Sequence, residues 1–244
     1  MSKVSIITAC SPDAVQFLHD ALRSIETSFL PAGWRLEWVL QEDGPVPTVD
    51  SDLLSHPAIK YQVNGSSLGT ATTRNLALAR ANGDMLVALD ADDMLADGGL
   101  LAMLRALNRE PMAAWAVGNH SQLFPDGKIA MQEPLLEAGI YKPGEVVKKW
   151  VEFGRAPFRS SLACMRTGPV WRIGGWPALG RLDDAALIYA LSIHYCGLVL
   201  PEYTLIYRRW SGQKTAQDWS ENLKDISRAF TLRWLEAMGS DFDC

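Results

Sequence analysis

Met85-Leu86-Val87-Ala88-Leu89 is an unbroken apolar run between the turn signal Asn82-Gly83-Asp84 and the acidic stretch Asp90-Ala91-Asp92-Asp93. A run this short, punctuated on both sides, reads as a buried strand rather than a helix. Carboxylates on alternate residues of an extended segment point the same way, so Asp90 and Asp92 are expected to face one site. A hard cation with phosphate oxygens is the natural occupant of such a pair. A solvated, acidic strand end is the alternative.

The segments before it repeat the theme. Val4–Thr8, Leu36–Leu40 and Ile59–Val63 read as strands. Asp13–Phe29 carries Val15, Leu18, Leu22, Ile25 and Phe29 at helical spacing, with Ser11 or Asp13 as N-cap. Thr70–Ala81 and Leu100–Leu107 read as further helices. This order implies an α/β fold with a largely parallel sheet covered by helices. In such sheets the ligand sits beyond the carboxyl ends of the strands. Thr8 to Ser11, Asp43, and Asp90 to Asp93 fall at those ends.

The second half is less regular. Trp115–Val117, Leu162–Met165, Leu198–Leu200 and Leu205–Tyr207 read as strands, Phe124–Lys128 as a hairpin turn and Ala185–Tyr195 as a helix. Residues 133–159 carry several Pro and Gly and follow no clear period. Trp219, Leu223, Ile226, Phe230 and Trp234 mark an amphipathic tail helix, with Thr215 and Asp218 resembling a capping box before it. That helix either offers a homodimer surface through Trp219, Phe230 and Trp234 or packs back on its own domain.

Composition excludes several classes. The formal net charge is −5 and no Lys/Arg block occurs, which argues against a nucleic-acid partner. No apolar stretch reaches the roughly 18 residues of a membrane span, and the first apolar run is too short for a signal peptide. Cys10, Cys164, Cys196 and Cys244 are scattered without metal-ligand spacing, as expected of free thiols in a reducing cytoplasm. His19, His56, His120 and His194 show no metal spacing either; His120, after a strand, is the one candidate for a site.

Four segments, in order, resemble inverting family 2 glycosyltransferases of the GT-A fold. Val4-Ser5-Ile6-Ile7-Thr8 is similar to the family's first strand, and Gln41-Glu42-Asp43-Gly44 to its acidic turn after the second. Leu68-Gly69 through Arg74-Asn75, then Ala81-Asn82-Gly83-Asp84 and Leu89-Asp90-Ala91-Asp92-Asp93, is similar to its longest signature. Ile173-Gly174-Gly175-Trp176-Pro177 with Asp183-Asp184-Ala185-Ala186-Leu187 resembles the segment holding its catalytic base.

The resemblance implies a Rossmann-like nucleotide-diphospho-sugar transferase fold over residues 1–215, with 1–110 binding the nucleotide sugar and 111–215 the acceptor, and a helical tail over 216–244. It implies transfer, with inversion, from a nucleotide-diphosphate sugar, a UDP-sugar in the first instance, to an acceptor hydroxyl. Mn2+ or Mg2+ would neutralise the leaving diphosphate. Asp92 is the implied metal ligand; Asp90 contacts the ribose or the metal shell, with Ala91 between them. Asp93 ligates, orients sugar hydroxyls or caps the next helix. Thr8, Ala9 and Cys10 form the nucleotide floor. Asp43 accepts from a base imide, as a carboxylate can, or serves the turn alone. Arg74 pairs with the diphosphate or with the acidic cluster, and Asn75 holds backbone. Asp184 is the implied general base, with Asp183 as the other choice; two acids opening a helix also suit its N-terminal dipole.

Tyr207-Arg208-Arg209-Trp210-Ser211-Gly212-Gln213 resembles the family's late loop, often Tyr-Arg-x-His-Pro-Gly-Gln. Trp210 stands at the His position and cannot ligate a metal; Arg208 or Arg209 can meet phosphate. Two other readings fit the same residues. A sugar-nucleotide pyrophosphorylase has a similar sheet but a glycine-rich, basic loop where this chain has Thr8-Ala9-Cys10-Ser11-Pro12. A non-catalytic nucleotide-sugar-binding module is the other.

Overall fold

The first strand, β1 (Lys3–Cys10), lies between β2 (Arg35–Glu42) and β4 (Met85–Ala88), and β3 (Ile59–Val63) lies outside β2. All these pairings are parallel. Alternate residues explain why the strands are almost wholly apolar. Val4, Ile6, Trp38, Leu40 and Val87 join a core on one face, whereas Ile7, Val39, Leu86 and Ala88 join a core on the other. A strand covered on both faces cannot alternate apolar with polar.

The computed structural model describes residues 2–159, 161, 163–179, 182–213 and 221–238, side chains of 221–224 excepted. Beyond β4 the sheet continues through β9 (Cys164–Arg166), β6 (Ala113–Leu123) and β10 (Cys196–Arg208) to β5 (Met94–Leu95), with β7 (Ile129–Met131) beside β6 and β8 (Gly139–Tyr141) beside β10. β9 is antiparallel to both neighbours, and β6 is parallel to β10. β1 to β4, β6 and β10 therefore all run the same way, and their carboxyl ends share one edge. Helices α1 (Leu18–Glu26) and α4 (Gly99–Arg109) cover one face. Helices α3 (Thr70–Arg80), α5 (Glu145–Phe153), α7 (Asp183–His194) and the buried Leu235 of α8 (Glu221–Ala237) cover the other. Short helices α2 (Ser51–Leu54) and α6 (Thr167–Arg172) complete the described elements.

Several expectations need correction. The segment from Asp13 to Phe29 is a 3-10 turn over Pro12–Phe17 followed by α1, which ends at Glu26. Thr27 and Ser28 turn their hydroxyls back onto carbonyls of that last turn, Pro31 disfavours a helical residue before it, and Phe29 is left exposed. The two late strands are one, β10, with a register break between Val199 and Tyr203 around Pro201, as proline in a sheet requires. Residues 133–159 hold β8 and α5.

In α8 the buried face is Ser227, Thr231 and Leu235; Ile226 and Phe230 are exposed. Small residues let this helix lie close to α7, and Thr231 satisfies its hydroxyl on Ser227 O at 2.7 Å. Thr215, Asp218 and Trp219 lie outside the described residues. Among the described residues no helix is long and apolar enough to cross a membrane.

Candidate active site

A cavity of about 1020 Å³ opens at the shared strand edge. Its centre is the turn after β4. Asp93 N–H donates to Asp90 O at 3.1 Å, so Asp90 to Asp93 form a tight turn and not the extended segment expected. Asp90, Ala91 and Asp92 still line the cavity. Asp93 is buried behind them, where its Oδ1 accepts the Arg208 N–H at 2.9 Å. It caps no helix, since α4 begins at Gly99. Its Oδ2 is buried with no hydrogen-bond partner among the described residues. Burial, then Asp92 and Asp90, push the Asp93 carboxyl well above the usual range; burial and then Asp90 also raise Asp92.

Arg74 ties this turn to α7. It lies on the buried face of α3, donates through Nη1 to Asp183 Oδ2 at 2.6 Å and through Nη2 to Asp90 Oδ1. Burial opposes its charge, but Asp183, Asp90 and Asp184 together hold it more firmly protonated than usual. Asp183 and Asp184 open α7 and line the same cavity. Leu182 before them has φ +66, a left-handed backbone costing roughly 1–2 kcal/mol outside glycine, the kind of local strain that marks functional sites. Burial first, then Asp183, raise Asp184 to about 6; Arg74 opposes this.

The Gly-Gly-Trp segment braces the helices from behind. Asn75 donates to Trp176 O at 2.8 Å and accepts from Trp176 N–H at 2.9 Å. Gly175 has φ +77, and a Cβ there would meet Asn75 Oδ1 at 2.4 Å, so only glycine fits. Trp176 is buried, and Trp150 is buried against Tyr189 with rings 4.4 Å apart. Phe158, by contrast, reaches the cavity, as do Tyr207 and Trp210.

Asp43 lines the opposite end. Its carboxylate accepts from Leu68 N–H at 2.6 Å, Gly69 N–H at 3.1 Å and Asn64 Nδ2 at 3.2 Å. It thus orders the loop that leads into α3. Ala9 and Ser11 line the floor beside it. Thr8 is turned into the core, where it accepts from Trp38 Nε1 at 2.8 Å, and Cys10 is fully buried.

In the late loop, Trp210 Nε1–H donates to Asp92 Oδ2 at 2.7 Å, and the indole packs edge-on against Phe17 at 4.9 Å. Gln213 reaches the same oxygen at 3.5 Å. Arg208 is used elsewhere: Nη2 pairs with Asp20 at 2.7 Å, Nε donates to Asp92 O at 3.0 Å, and the guanidinium lies over Phe17. Neither Arg208 nor Arg209 is among the residues lining the cavity. His120, Arg155 and Arg159 are. Burial, and secondarily Arg159, lower His120 to about 4, so it is neutral at pH 7. The two arginines and Gln213 were not identified from the sequence; the arginines lie in the stretch without a period.

No group of three or more His, Cys, Asp or Glu side chains among the described residues forms a metal cage. The donor chemistry nevertheless fits a divalent ion carried with phosphates. Such ions take one or two carboxylates and fill the remaining positions with phosphate and water. Asp90 and Asp92 supply two, and their mutual repulsion is what a cation would relieve.

Among known proteins, the family model described as glycosyl transferase family 2 matches residues 35–162. No curated protein sequence matches the chain. Among solved structures, S. aureus TarS residues 1–349 in complex with UDP is 14% identical with a TM-score of 0.72, over 99% of this chain and 67% of that one. The same fragment with UDP-GlcNAc is 15% identical with a TM-score of 0.71, over 100% and 68%. A mannosyltransferase of Pyrobaculum calidifontis in complex with GDP-Man and Mn2+ is 18% identical with a TM-score of 0.60, over 96% and 63%. At these identities the likeness shows the fold, which is the GT-A fold.

Proposed function

The chain belongs to glycosyl transferase family 2, and from that premise we propose that it transfers a sugar from a UDP-sugar to an acceptor hydroxyl with inversion. Membership of this enzyme family sets aside the pyrophosphorylase and the non-catalytic module. The observation that carries the reading is the Arg74 bridge, which holds Asp90 and Asp183 on one guanidinium. It sets the acid turn and the paired acids of α7 on one cavity, as a displacement between leaving diphosphate and incoming hydroxyl needs.

In this reading Asp43 and Ala9 receive the nucleoside, and the UDP and UDP-GlcNAc complexes of TarS favour a uridine donor. Asp92 and Asp90 would hold Mn2+ or Mg2+, which when bound neutralises charge on the diphosphate. Arg74 braces these acids and is not itself the phosphate ligand. Asp184 takes the acceptor proton as the new bond forms. Its carboxyl near 6 is basic enough to do so while ionised at pH 7. Asp183, spent on Arg74, positions it. The buried Cys164 thiol, free in this fold, fits a reducing cytoplasm.

The test is a melting-temperature screen of UDP, UDP-GlcNAc and GDP-Man with Mn2+, since a ligand bound to the folded state alone raises the transition by mass action. Donor hydrolysis with and without Mn2+ accompanies it. Absence of metal-dependent turnover with every nucleotide sugar overturns the reading.

A further inference from the structure

Two arginines of the cavity have no assigned work. Arg155 and Arg159 lie in the segment after α5 and line the wall. The other cations nearby are engaged: Arg74 with Asp90 and Asp183, Arg208 with Asp20. Neither Arg155 nor Arg159 makes an ion pair or hydrogen bond among the described residues. Arg159 instead lies 4.3 Å over the face of the Tyr207 ring. Stacking of this kind holds a guanidinium in place while leaving its N–H groups available.

Their place separates them from the nucleoside end. The sheet order β2-β1-β4-β9-β6-β10 sets Asp43, at the end of β2, on one side of the acid turn that follows β4. Tyr207 on β10 and His120 on β6, whose rings meet edge to face at 6.4 Å, lie on the other side. Arg159 sits with that second pair. Asp184 lines the cavity next to Asp183, which Arg74 holds to Asp90 of the acid turn. An acceptor whose hydroxyl reaches Asp184 therefore rests the remainder of its structure on the Arg155–Arg159 wall.

We propose that this wall binds an oxyanion carried by the acceptor, so that the acceptor class is a hydroxyl compound bearing a phosphate or carboxylate. Guanidinium groups recognise both through paired N–H donors. A cavity that otherwise presents carboxylates would repel such a molecule, and the two arginines are what admits it. The inference rests on the transferase reading, which gives the Asp43 end to the donor.

The experiment measures binding of glycerol 3-phosphate, glycerate and glycerol by calorimetry, with and without saturating UDP and Mg2+. Expected is at least tenfold tighter binding of an anionic probe than of glycerol; the tighter of the two anions identifies the group. Arg155→Gln/Arg159→Gln abolishes that preference with the UDP dissociation constant held within twofold. Arg159→Lys, which keeps the charge, retains part of the preference and controls for misfolding, as does an unchanged melting temperature. No preference in the parent protein overturns the proposal. So does an unchanged preference in the double variant, which would make the arginines mere counter-charges to the acids. A parallel loss of UDP affinity overturns it too, by assigning them to the donor diphosphate. Failure of the parent to bind UDP refutes the donor assignment alone, because the probes are also read on unliganded protein.

Discussion

Asp184→Asn removes one proton acceptor and one buried charge, and its two consequences have opposite signs. Burial and Asp183 raise the parent carboxyl from 3.8 to about 6. The folded protein therefore keeps a proton between those values that the unfolded chain has released. Parent stability falls as pH rises through that window and stays lower above it. At 1.36 kcal/mol per pH unit the ionised carboxylate costs about 3 kcal/mol, and about 1–3 kcal/mol once coupling to Asp183 and Asp90 is allowed for. Asparagine is neutral at every pH and escapes that cost. At pH 8 the variant should melt roughly 2–12 °C above the parent, given about 2–4 °C per kcal/mol for a chain of this size. At pH 4 the two should melt together. Transfer should fall on the order of 10²–10⁴-fold, the usual worth of a positioned base, with donor binding retained. The parent's rate should rise with pH along a limb centred near 6. Scanning calorimetry at both pH values and a pH–rate profile are the assays. A variant less stable than the parent at pH 8 would refute the argument, since Asp184 would then be an indispensable counter-ion of Arg74.

Further expectations concern the surrounding framework. Arg74→Met leaves buried Asp183 and half-buried Asp90 without their cation and should cost about 3–5 kcal/mol in chemical denaturation; a loss under 1 kcal/mol would show the pair to be solvated. Glu37 is pushed up by burial, yet hydrogen bonds from Lys3, Lys60, Ser5 and the Asn82 N–H bring it down to about 2. Its stabilisation, about 3 kcal/mol, is present above pH 4.5 and lost as pH falls toward 2; Glu37→Gln should flatten that part of the acid unfolding curve. Trp210→His places a ligand where an indole now donates to Asp92, and should tighten Mn2+ binding at least tenfold by spectroscopic titration; unchanged affinity removes Asp92 as the ligand. Gly175→Ala forces a Cβ onto Asn75 in a left-handed backbone and should cost about 2–4 kcal/mol, measured by urea midpoint.

Most of the strand and helix pattern was readable because burial on both faces leaves a simple signal: short apolar runs, each ended by polar residues. β3 coincides with the expected strand, and β1, β2 and β4 lie within two residues of theirs. What failed did so where local chemistry overrode period. Thr27 and Ser28 closed α1 early, Pro201 hid the continuity of β10, and α8 turned its small residues inward against the apolar stripe. In the site, the acids were visible as residue types but their division of labour was not. Nothing in Leu89-Asp90-Ala91-Asp92-Asp93 tells that Asp93 faces β10. Arg208, expected at phosphate, is captured by Asp20 across 188 residues of chain, a distance at which spacing carries no information.

The charge pattern of the cavity bears on how donor and metal enter. Asp90, Asp92, Asp183 and Asp184 line it with one fully paired cation, Arg74, which already serves two of them. Burial first, and then the neighbouring carboxylates, raise Asp92 and Asp184, so repulsion among these acids adds to their desolvation. A nucleoside diphosphate brings two to three further negative charges, and at about 4 Å each unscreened like-charge pair near a protein surface costs about 4 kcal/mol. At the Asp90–Asp92 end such a ligand meets this repulsion unless a cation comes with it. On the proposed reading, metal and diphosphate bind as one unit, each raising the affinity for the other by the same factor. A UDP titration in excess chelator should give a dissociation constant at least a hundredfold weaker than with Mn2+. Equal affinities would mean that the arginine wall, and not a cation on Asp90 and Asp92, neutralises the donor.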